Sequence, residues 1–527
     1  MSQLYFADCS FARSNESNVG VAAPAVIVPP NNHLWLLPSL PAQQRLLDIY
    51  FTDWHHYMPF LDQGMCGELS VYLSLPATDS LDHIPALPHT SSRNRYRERA
   101  TLILYAIFLV AMSHMSEPLK CIPGTPDDYY HAILDLLDQL DDHLTLETVQ
   151  VLLMLSWREQ GCDQSQRAWL HLGINLKAFF NIGSAIRVAQ DIGLDHSCVN
   201  WPILDDREKK TRTTTWWICY IFDIATSIRM GRKPVIREND FDVPLPEDPG
   251  EQGGIGLQAF IHAISLCRIV SRILDRFYSL RRSSQTVFHL NRCYLDLRHW
   301  ESNLPPRLKI IQFDNIIHSS VYTIHILFHT AVLLLHRPFL SNTATRNLSV
   351  PIYRSSAFSF SFTLSRYRSD HNYSHSSPFD VHFIFTNAIA HMQSARSNEN
   401  SIALAANSGL QECLTAFNAI RGTWKVAGRA LNLLVDTFNL GNVIFPQLST
   451  PNSQEEVNPQ STNSEVITEL NPEWQSPTNP TQFTWEWDRM SEQRTSPTSH
   501  FEALFGLSAE EFLPEMLEPP SRVLIDY

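Results

Sequence analysis

Apolar residues recur at spacings of three and four along most of the chain, which is the pattern of helices that bury one face. Strict alternation of apolar and polar residues, the pattern of half-buried strands, is nearly absent. Breakers such as EPLKCIPGTP at 117–126 and LPPR at 304–307 separate the periodic stretches. We therefore predict an all-α, multi-helical fold, with helices at 41–57, 95–115, 127–141, 145–158, 166–192, 206–230, 255–281, 287–302, 316–337, 380–397, 402–420 and 423–440.

Composition divides the chain into five regions. Residues 1–40 are rich in Asn, Ala, Pro and Ser and are predicted to be a flexible lead-in. Residues 41–342 form the helical domain and 380–446 supply its remaining helices, whereas 343–379 mix Ser, Tyr, Arg and Phe in no helical order and are predicted to be an irregular insert. Residues 447–527 carry fourteen carboxylates against three arginines, so we predict a disordered acidic tail.

Two segments of that tail, FTWEWDRM and FEALFGLSAEEFLPEML, interleave aromatic and aliphatic residues with acids. Such alternation is typical of segments that fold only on a partner, as activation segments do. The tail is therefore predicted to bind another protein.

The chain as a whole is acidic, with a formal net charge of −14 over 527 residues. A protein that grips DNA needs Lys and Arg to neutralise phosphates. DNA binding by this chain unaided is therefore not predicted. Its nine cysteines are widely scattered and form neither a disulfide framework nor a zinc cluster, so we predict buried thiols, at positions 9, 66, 121, 162, 198, 219, 267, 293 and 413.

The sequence gives no sign of a membrane or of secretion. No uncharged apolar run reaches the roughly 18 residues that a membrane-spanning helix needs. The first residues lack the basic start and apolar stretch of a secretory leader. We expect an intracellular protein with no membrane partner.

The stretch TTTWWICYIFDIATSIRMGRKP at 213–234 predicts a helix with a sharp end. Trp216 and Trp217 fall on two adjacent apolar stripes of that helix and are predicted to be core. Gly231 follows the last periodic residue, where a left-handed C-cap is expected, and Pro234 prevents the helix from resuming.

Asp223 is the one carboxylate inside this apolar run. An unpaired charge at the edge of a buried surface costs several kcal/mol. We therefore predict a structural ion pair, with Arg232 or Arg237 folding back from the following loop, rather than a catalytic acid.

Three histidines on one predicted helix raise the question of a zinc site. A zinc protease needs Glu immediately after the first His, and Ile326 occupies that place. A core or capping role is predicted for all three, His325, His329 and His336.

The run DLLDQLDD at 135–142 places carboxylates on one helical face, as in the magnesium sites of all-helical prenyl-diphosphate enzymes. No second metal motif follows, because NDFD at 239–242 runs directly into Pro244 and Pro246. A solvated face is favoured over a magnesium-dependent synthase that would use Asp138, Asp141 and Asp142. Since the chain also has no Gly-rich phosphate loop and no nucleophile elbow, we predict no enzyme, no catalytic residue and no bound cofactor.

The pieces quoted above combine into a longer pattern, RVAQDIGLDH followed by TTTWWICYIFDIATSIRMGRKP and DFDVPLP, between 187 and 246. This pattern resembles the middle homology region of fungal-specific transcription factors. YFTDWHHYMPFLD at 50–62 is similar to that family's opening helix, and LLLHRPFL at 333–340 to its late His-Arg-Pro helix. The resemblance spans roughly 41–440, and its motif residues, read as structural, are Arg187, Gln190, Gly193, Trp216, Trp217, Asp223, Gly231, Arg232 and Pro234.

The resemblance implies an all-α regulatory and dimerisation domain, nuclear localisation and a role in transcription. The partners it implies are a homo- or heterodimer partner, the transcription machinery through the acidic tail, and a small-molecule effector. Such regulators usually begin with a six-cysteine binuclear zinc cluster, and Cys-x2-Cys-x6-Cys does not occur here. No zinc ligand is carried over, and DNA contact is expected only indirectly or through a missing N-terminal domain. The alternative is a cofactor or small-molecule sensor that never touches DNA.

Two segments depart from the family pattern, INLKAFFNIG at 174–183 and residues 345–378. Ten extra residues turn a helix by about 1000°, so the first segment would shift the downstream face unless it loops out. Both segments are interpreted either as genuine inserts or as introns translated by a faulty gene model. Sequencing the spliced transcript decides between the two.

Overall fold

The structure is a computed structural model. It describes eleven stretches of the chain, residues 33–74, 93–113, 115, 121–140, 145–162, 176–248, 250, 254–278, 286–310, 316–341 and 345–440. The predictions for residues 1–32 and for the acidic tail lie outside these stretches.

All the regular structure in the described stretches is helical, which confirms the all-α prediction. The first seven helices are α1 (Leu40–Ile49), α2 (Gln63–Ser74), α3 (Arg93–Met112), α4 (Pro126–Gln139), α5 (Leu146–Gly161), α6 (Leu176–Asp191) and α7 (Asp206–Met230). The second seven are α8 (Ile255–Phe277), α9 (Thr286–Ser302), α10 (Ser319–His336), α11 (Arg346–His371), α12 (Pro378–Ser394), α13 (Asn400–Ile420) and α14 (Lys425–Leu440). A π-helical turn, Tyr50–Trp54, extends α1, and a 3-10 turn, Arg337–Phe339, extends α10.

Polar side chains at the helix starts explain several of these boundaries. Thr125 and Ser377 each form a capping box, at the starts of α4 and α12. Thr145 caps α5 and Asp205 caps α7 by accepting from a backbone N–H in the first turn. These caps satisfy amide groups that have no partner inside their own helix.

The prediction of an irregular insert at 343–379 is wrong, because α11 occupies most of it. Its buried apolar residues follow helical spacing, at Tyr353, Ala357, Phe360, Leu364 and Tyr367. The serines between them obscured this pattern. The structure also contains α2, which the sequence pattern did not predict.

Three serines of α11 pair with buried histidines of the neighbouring helices. Ser349 Oγ lies 3.2 Å from His336 Nδ1 and Ser356 Oγ lies 3.3 Å from His329 Nδ1, both on α10. Ser361 Oγ lies 2.7 Å from Nε2 of His391 on α12. The serines therefore provide the polar contacts that buried imidazoles need.

Residues 176–183 of the first proposed insert form the opening turns of α6 and continue directly into Arg187 and Asp191. The preceding residues 163–175 lie outside the described stretches. The contacts between α5 and α6 are nevertheless extensive.

A cluster of large aromatic side chains lies where the early and late helices meet. Trp157 of α5 contacts Trp54 of the π-helical turn, Phe222 of α7 and Phe379 of α12, with ring centroids 5.7–5.9 Å apart. Trp424, just before α14, lies 5.9 Å from Trp54 and donates from Nε1 to the carbonyl of Ser376 at 2.8 Å. One core therefore joins helices from both halves of the chain.

Gly161 at the end of α5 allows Trp424 to approach this cluster. A Cβ atom at Gly161 would overlap Cε3 of Trp424. Only glycine therefore fits at this contact.

Two helical stretches, Ile255–Phe277 and Ser319–Phe339, have the length and apolar character that would allow them to cross a membrane. Most of each is buried inside the folded chain, as in core helices of soluble proteins that pass the same criterion. This is weak evidence for a membrane span.

Candidate functional site

Trp216 and Trp217 of α7 pack against the loop that follows the helix, from Gly231 to Pro246. Trp216 and Trp217 are buried, with 1% and 2% of their surface exposed. Both rings lie edge-on to Phe241 of the loop, with centroids 5.4 Å away in each case. Trp217 Nε1 also donates to the carbonyl of Pro244 at 2.8 Å. Aromatic packing and one hydrogen bond therefore attach the loop to the helix.

Gly231 ends α7 in the left-handed conformation, with φ of 60°. Its N–H donates to the Ile228 carbonyl, and the N–H of Arg232 donates to the Ser227 carbonyl at 3.1 Å. This is the Schellman arrangement, which satisfies the last carbonyls of a helix. The loop from Gly231 to Pro246 starts at this turn, and Pro234 is half-buried within it.

The prediction that Asp223 pairs with Arg232 or Arg237 is wrong. Asp223 is 4% exposed, and its carboxylate accepts from the backbone N–H of Ile236 at 2.8 Å and from that of Val235. Both arginine side chains are exposed. The loop turns its own backbone amides towards α7, so peptide donors take the place expected for a guanidinium.

These backbone donors do not offset the cost of burying the charge on Asp223. Burial raises the pKa of this carboxyl from 3.8 to about 7, although the hydrogen bonds from Ile236 and Val235 act in the opposite direction. The carboxyl is therefore protonated over much of the acidic range. An acid in this position acts as a hydrogen-bonding tether between helix and loop.

The turn after α6, at Gly193 and Leu194, lies next to α7 and the loop. Gly193 has φ of 68°, and the N–H of Leu194 donates to the Ala189 carbonyl at 2.8 Å. Of the other motif residues in this part of the chain, Gln190 is half-buried and Arg187 is exposed.

Polar contacts link this turn to α7 and to the loop. Arg212 of α7 donates from Nη2 to the Ile192 carbonyl at 2.7 Å and lies over the Trp201 ring. In the loop, the Asp242 carboxylate accepts from the N–H of Ser197 at 2.7 Å. The turn, α7 and the loop are thus bound to one another.

The outer edge of the loop carries a half-exposed ion pair. Glu238 accepts from Arg268 of α8 at 3.1 Å, and the hydroxyl of Tyr220 donates to the same carboxylate at 3.4 Å. Pairs of this exposure contribute little to stability. The buried contacts of Asp223 and Trp217 are the main attachments of the loop.

The histidines considered for a zinc site lie on α10, and the described acids considered for a magnesium site lie on α4. His325 Nε2 lies 2.8 Å from the Leu308 carbonyl, and burial lowers the pKa of His329 to about 3, so that ring is neutral. Asp135 and Asp138 are exposed on α4, and positions 141 and 142 lie outside the described residues. Within the stretches that the structure covers, no three His, Cys, Asp or Glu side chains form a group suited to a metal ion.

Six of the nine cysteines are buried, as predicted, at positions 66, 198, 219, 267, 293 and 413. The prediction of a buried thiol is wrong for Cys121, which is exposed because it lies in the turn before α4, and Cys162 is half-buried. Cys9 lies outside the described residues.

Comparison with known proteins shows that the motif region from Arg187 to Pro246 lies within a larger matched region. Residues 47–302 match the model of the fungal specific transcription factor domain. The chain is 29% identical over 259 residues to the nitrogen assimilation transcription factor nit-4 of Neurospora crassa, an alignment that covers 42% of this chain and 22% of that protein.

Two other similar proteins are also named as regulators or transcription factors. The acetamidase regulatory protein of Aspergillus oryzae is 26% identical over 241 residues, covering 45% of this chain and 30% of that protein. Cutinase transcription factor 1 alpha of Fusarium vanettenii is 24% identical over 338 residues, covering 58% of this chain and 34% of that protein.

The aligned part of the chain therefore spans only about a fifth to a third of the length of these relatives. The match nevertheless contains the whole motif region, from Arg187 to Pro246. The match over residues 47–302 and the similarity to these relatives support a middle homology region of the fungal-specific transcription factor type in this part of the chain.

Proposed function

We propose that the chain is a fungal transcription regulator, present in the nucleus, and that the helical region is its regulatory and dimerisation module. The observation that carries this proposal is the family match over 47–302, which includes every motif residue of the Arg187–Pro246 pattern. Relatives that match this region are named as transcription factors and regulatory proteins.

The geometry of the motif region supports a scaffolding role for its residues. Trp217, Asp223 and Gly231 are occupied in attaching the loop to α7 and in ending that helix. None of these contacts resembles the arrangement of a nucleophile with its base. The proposal therefore assigns the motif residues no catalytic role and needs no cofactor.

DNA contact in this proposal is indirect. A chain with a net charge of −14 gains little from phosphate neutralisation, so a dimer partner or a zinc-cluster segment outside this chain supplies the contact. The acidic, aromatic residues after 447 contact the transcription machinery.

The first test tethers the full 527-residue chain to a heterologous DNA-binding domain upstream of a reporter gene in a fungal host. We expect reporter expression to change several-fold relative to the tethering domain alone, in either direction. A matched chain ending at residue 447 separates the two parts of the proposal. Loss of the effect in this shorter chain supports a role for the tail, and an unchanged effect contradicts that role alone.

The second test maps chromatin occupancy of the tagged chain across the genome. Reproducible peaks at promoters are expected, and they should disappear if a required DNA-binding partner is deleted. A tethered chain without effect, together with occupancy no higher than that of a tag-only control, would contradict the proposed function.

A further inference from the structure

The residue before α10 is a histidine that caps the helix. Nδ1 of His318 accepts from the backbone N–H of Ser320 at 3.2 Å and lies 2.8 Å from the Ser320 hydroxyl. An imidazole nitrogen accepts a hydrogen bond only while it carries no proton. This cap therefore requires neutral His318, unlike the hydroxyl caps of α4, α5 and α12.

The residue before the cap is attached to the end of α11. The N–H of Ile317 donates to the Asp370 carboxylate at 3.0 Å, and the Ile317 carbonyl accepts from Nε2 of His371 at 2.6 Å. Arg366 pairs with the same carboxylate at 3.3 Å. Asp370 is thus already engaged by an arginine and a backbone amide, and His371 lies beside the entry to α10.

Two further histidines approach from other elements. The ring of His56, just after the π-helical turn, lies 5.7 Å from the ring of His318. The ring of His375, in the turn before α12, lies 5.4 Å from the ring of His371 and pairs with Asp53 at 3.4 Å. Four elements therefore bring histidines to one place, the histidine junction, formed by His56, His318, His371 and His375.

The junction is closely packed. The hydroxyl of Tyr57 donates to the His375 carbonyl at 2.9 Å and lies 3.1 Å from Oγ1 of Thr323 on α10. From α8, Gly256 approaches so closely that a Cβ atom on it would lie 3.1 Å from Cβ of His56. Glycine has no side chain that could neutralise a charge, so α8 offers the histidines no counter-ion at this contact.

Protons added at the junction are poorly accommodated. Both ring nitrogens of His56 are buried and have no hydrogen-bond partner among the described residues, so a protonated His56 would lack an acceptor. Burial, and then the charges of His371 and His375, lower the pKa of His318. Burial, and then the charges of His318, His375, His55 and His371, lower the pKa of His56. The histidines therefore oppose one another's protonation.

We propose that the histidine junction is an acid-sensitive latch on the start of α10. Neutral histidines hold the π-helical turn, the first turn of α10 and the end of α11 together. A proton on Nδ1 of His318 removes the cap, adds a cation at a helix N-terminus and repels the neighbouring imidazoles. His318 is exposed, so protons reach it without unfolding of the core. This inference is independent of the proposed function, because it concerns the purified chain alone.

The sign of the pH effect follows from the lowered pKa values. A histidine whose pKa is lowered on folding favours the closed state fully above its unfolded pKa of about 6.5, and this contribution is lost as pH falls below that value. Between pH 7.5 and pH 5.5, each histidine that takes up its proton only on opening raises the open population by up to about tenfold. Mild acid therefore releases the first turn of α10.

The test measures hydrogen–deuterium exchange of the full chain at pH 7.5 and pH 5.5, with each rate divided by the intrinsic rate at that pH. We expect the amides from Ser320 to Thr323 to lose about tenfold in protection at pH 5.5. The first turn of α5 is the internal reference, because the Thr145 hydroxyl that caps it does not titrate. Constant protection at the start of α10, or an equal loss at the start of α5, overturns the proposal.

Two variants separate the proton from the cap. In His318→Asn the side-chain oxygen can accept from the same backbone N–H at both pH values, since asparagine is a preferred N-cap and does not titrate. We expect wild-type protection at pH 7.5 and a much smaller loss at pH 5.5. His131→Gln, at an exposed position of α4, should show the full wild-type loss. An undiminished loss in His318→Asn, or its disappearance in His131→Gln, contradicts the latch.

Discussion

Asp223 and Arg229 lie six residues apart on the same helix, and their buried charges are accommodated in opposite ways. Asp223 accepts from two backbone amides of the loop, and burial raises its pKa to about 7, so it can take up a proton and lose its charge. Arg229 keeps its charge at any ordinary pH and has unpartnered donors. The carboxyl can therefore lose its charge within the protein, whereas the guanidinium stays charged with two of its nitrogen atoms unpartnered.

We expect the largest loss of stability from a substitution in the aromatic cluster, larger than from any substitution of Asp223. Gly161→Ala would force a Cβ into Trp424, so we expect it to lower the free energy of unfolding by about 3 kcal/mol. Chemical denaturation measures this change. Gly67→Ala on α2 is the matched control, since a Cβ there meets no atom within 4 Å and should slightly stabilise the helix. Equal stability of the two variants would contradict the close contact.

Removing the side chain of Asp223 breaks the hydrogen bonds between α7 and the loop. In Asp223→Ala the N–H groups of Ile236 and Val235 lose their acceptor, and we expect a loss of about 2 kcal/mol at pH 6, where the native carboxyl is mostly protonated. Thermal and chemical unfolding measure the loss. Asp240→Ala, at an exposed position of the same loop, should change stability by less than about 0.5 kcal/mol. A loss as small for Asp223→Ala would show that the loop does not depend on this tether.

Replacing Asp223 by its amide isolates the charge. A carboxyl whose pKa is raised on folding stabilises the protein fully below its unfolded pKa, and this contribution is lost as pH rises through about 7. Asparagine does not titrate, so Asp223→Asn should gain about 1.4 kcal/mol relative to the wild type between pH 6 and pH 8. Unfolding free energies at the two pH values measure the gain, and a difference that does not vary with pH would refute the raised pKa.

The smallest effect is expected at the outer edge of the loop. Glu238→Gln weakens the half-exposed pair with Arg268, and we expect a loss of about 0.5 kcal/mol that shrinks in high salt. Unfolding in low and high salt provides the measurement. A larger and salt-independent loss would indicate that Glu238, rather than Asp223, is the main tether of the loop.

The sequence predicted the bounds of α7 and its end at Gly231 because helical periodicity and a glycine cap are local signals. The partner of Asp223 could not be predicted in the same way. It is a backbone amide thirteen residues further along, and the path of the loop determines its position. A side-chain pattern contains no information about which peptide groups a loop turns inwards.

The helix α11 was missed for a different reason. Its serines suggested a loop, because Ser favours turns when it bonds to its own backbone. Here Ser349, Ser356 and Ser361 pair with histidines of other helices, which a single-segment pattern cannot reveal. The spacing of Tyr353, Ala357 and Phe360 was the available signal.

The contacts of Trp424 and Phe379 with Trp54 and Trp157 mean that residues beyond the matched family region complete its aromatic core. A fragment ending at residue 302 would leave the apolar faces of α5 and α7 open to water, and large exposed apolar surfaces promote aggregation. Fragments for expression should therefore extend through α14, and substitutions in the last helices should impair the first ones.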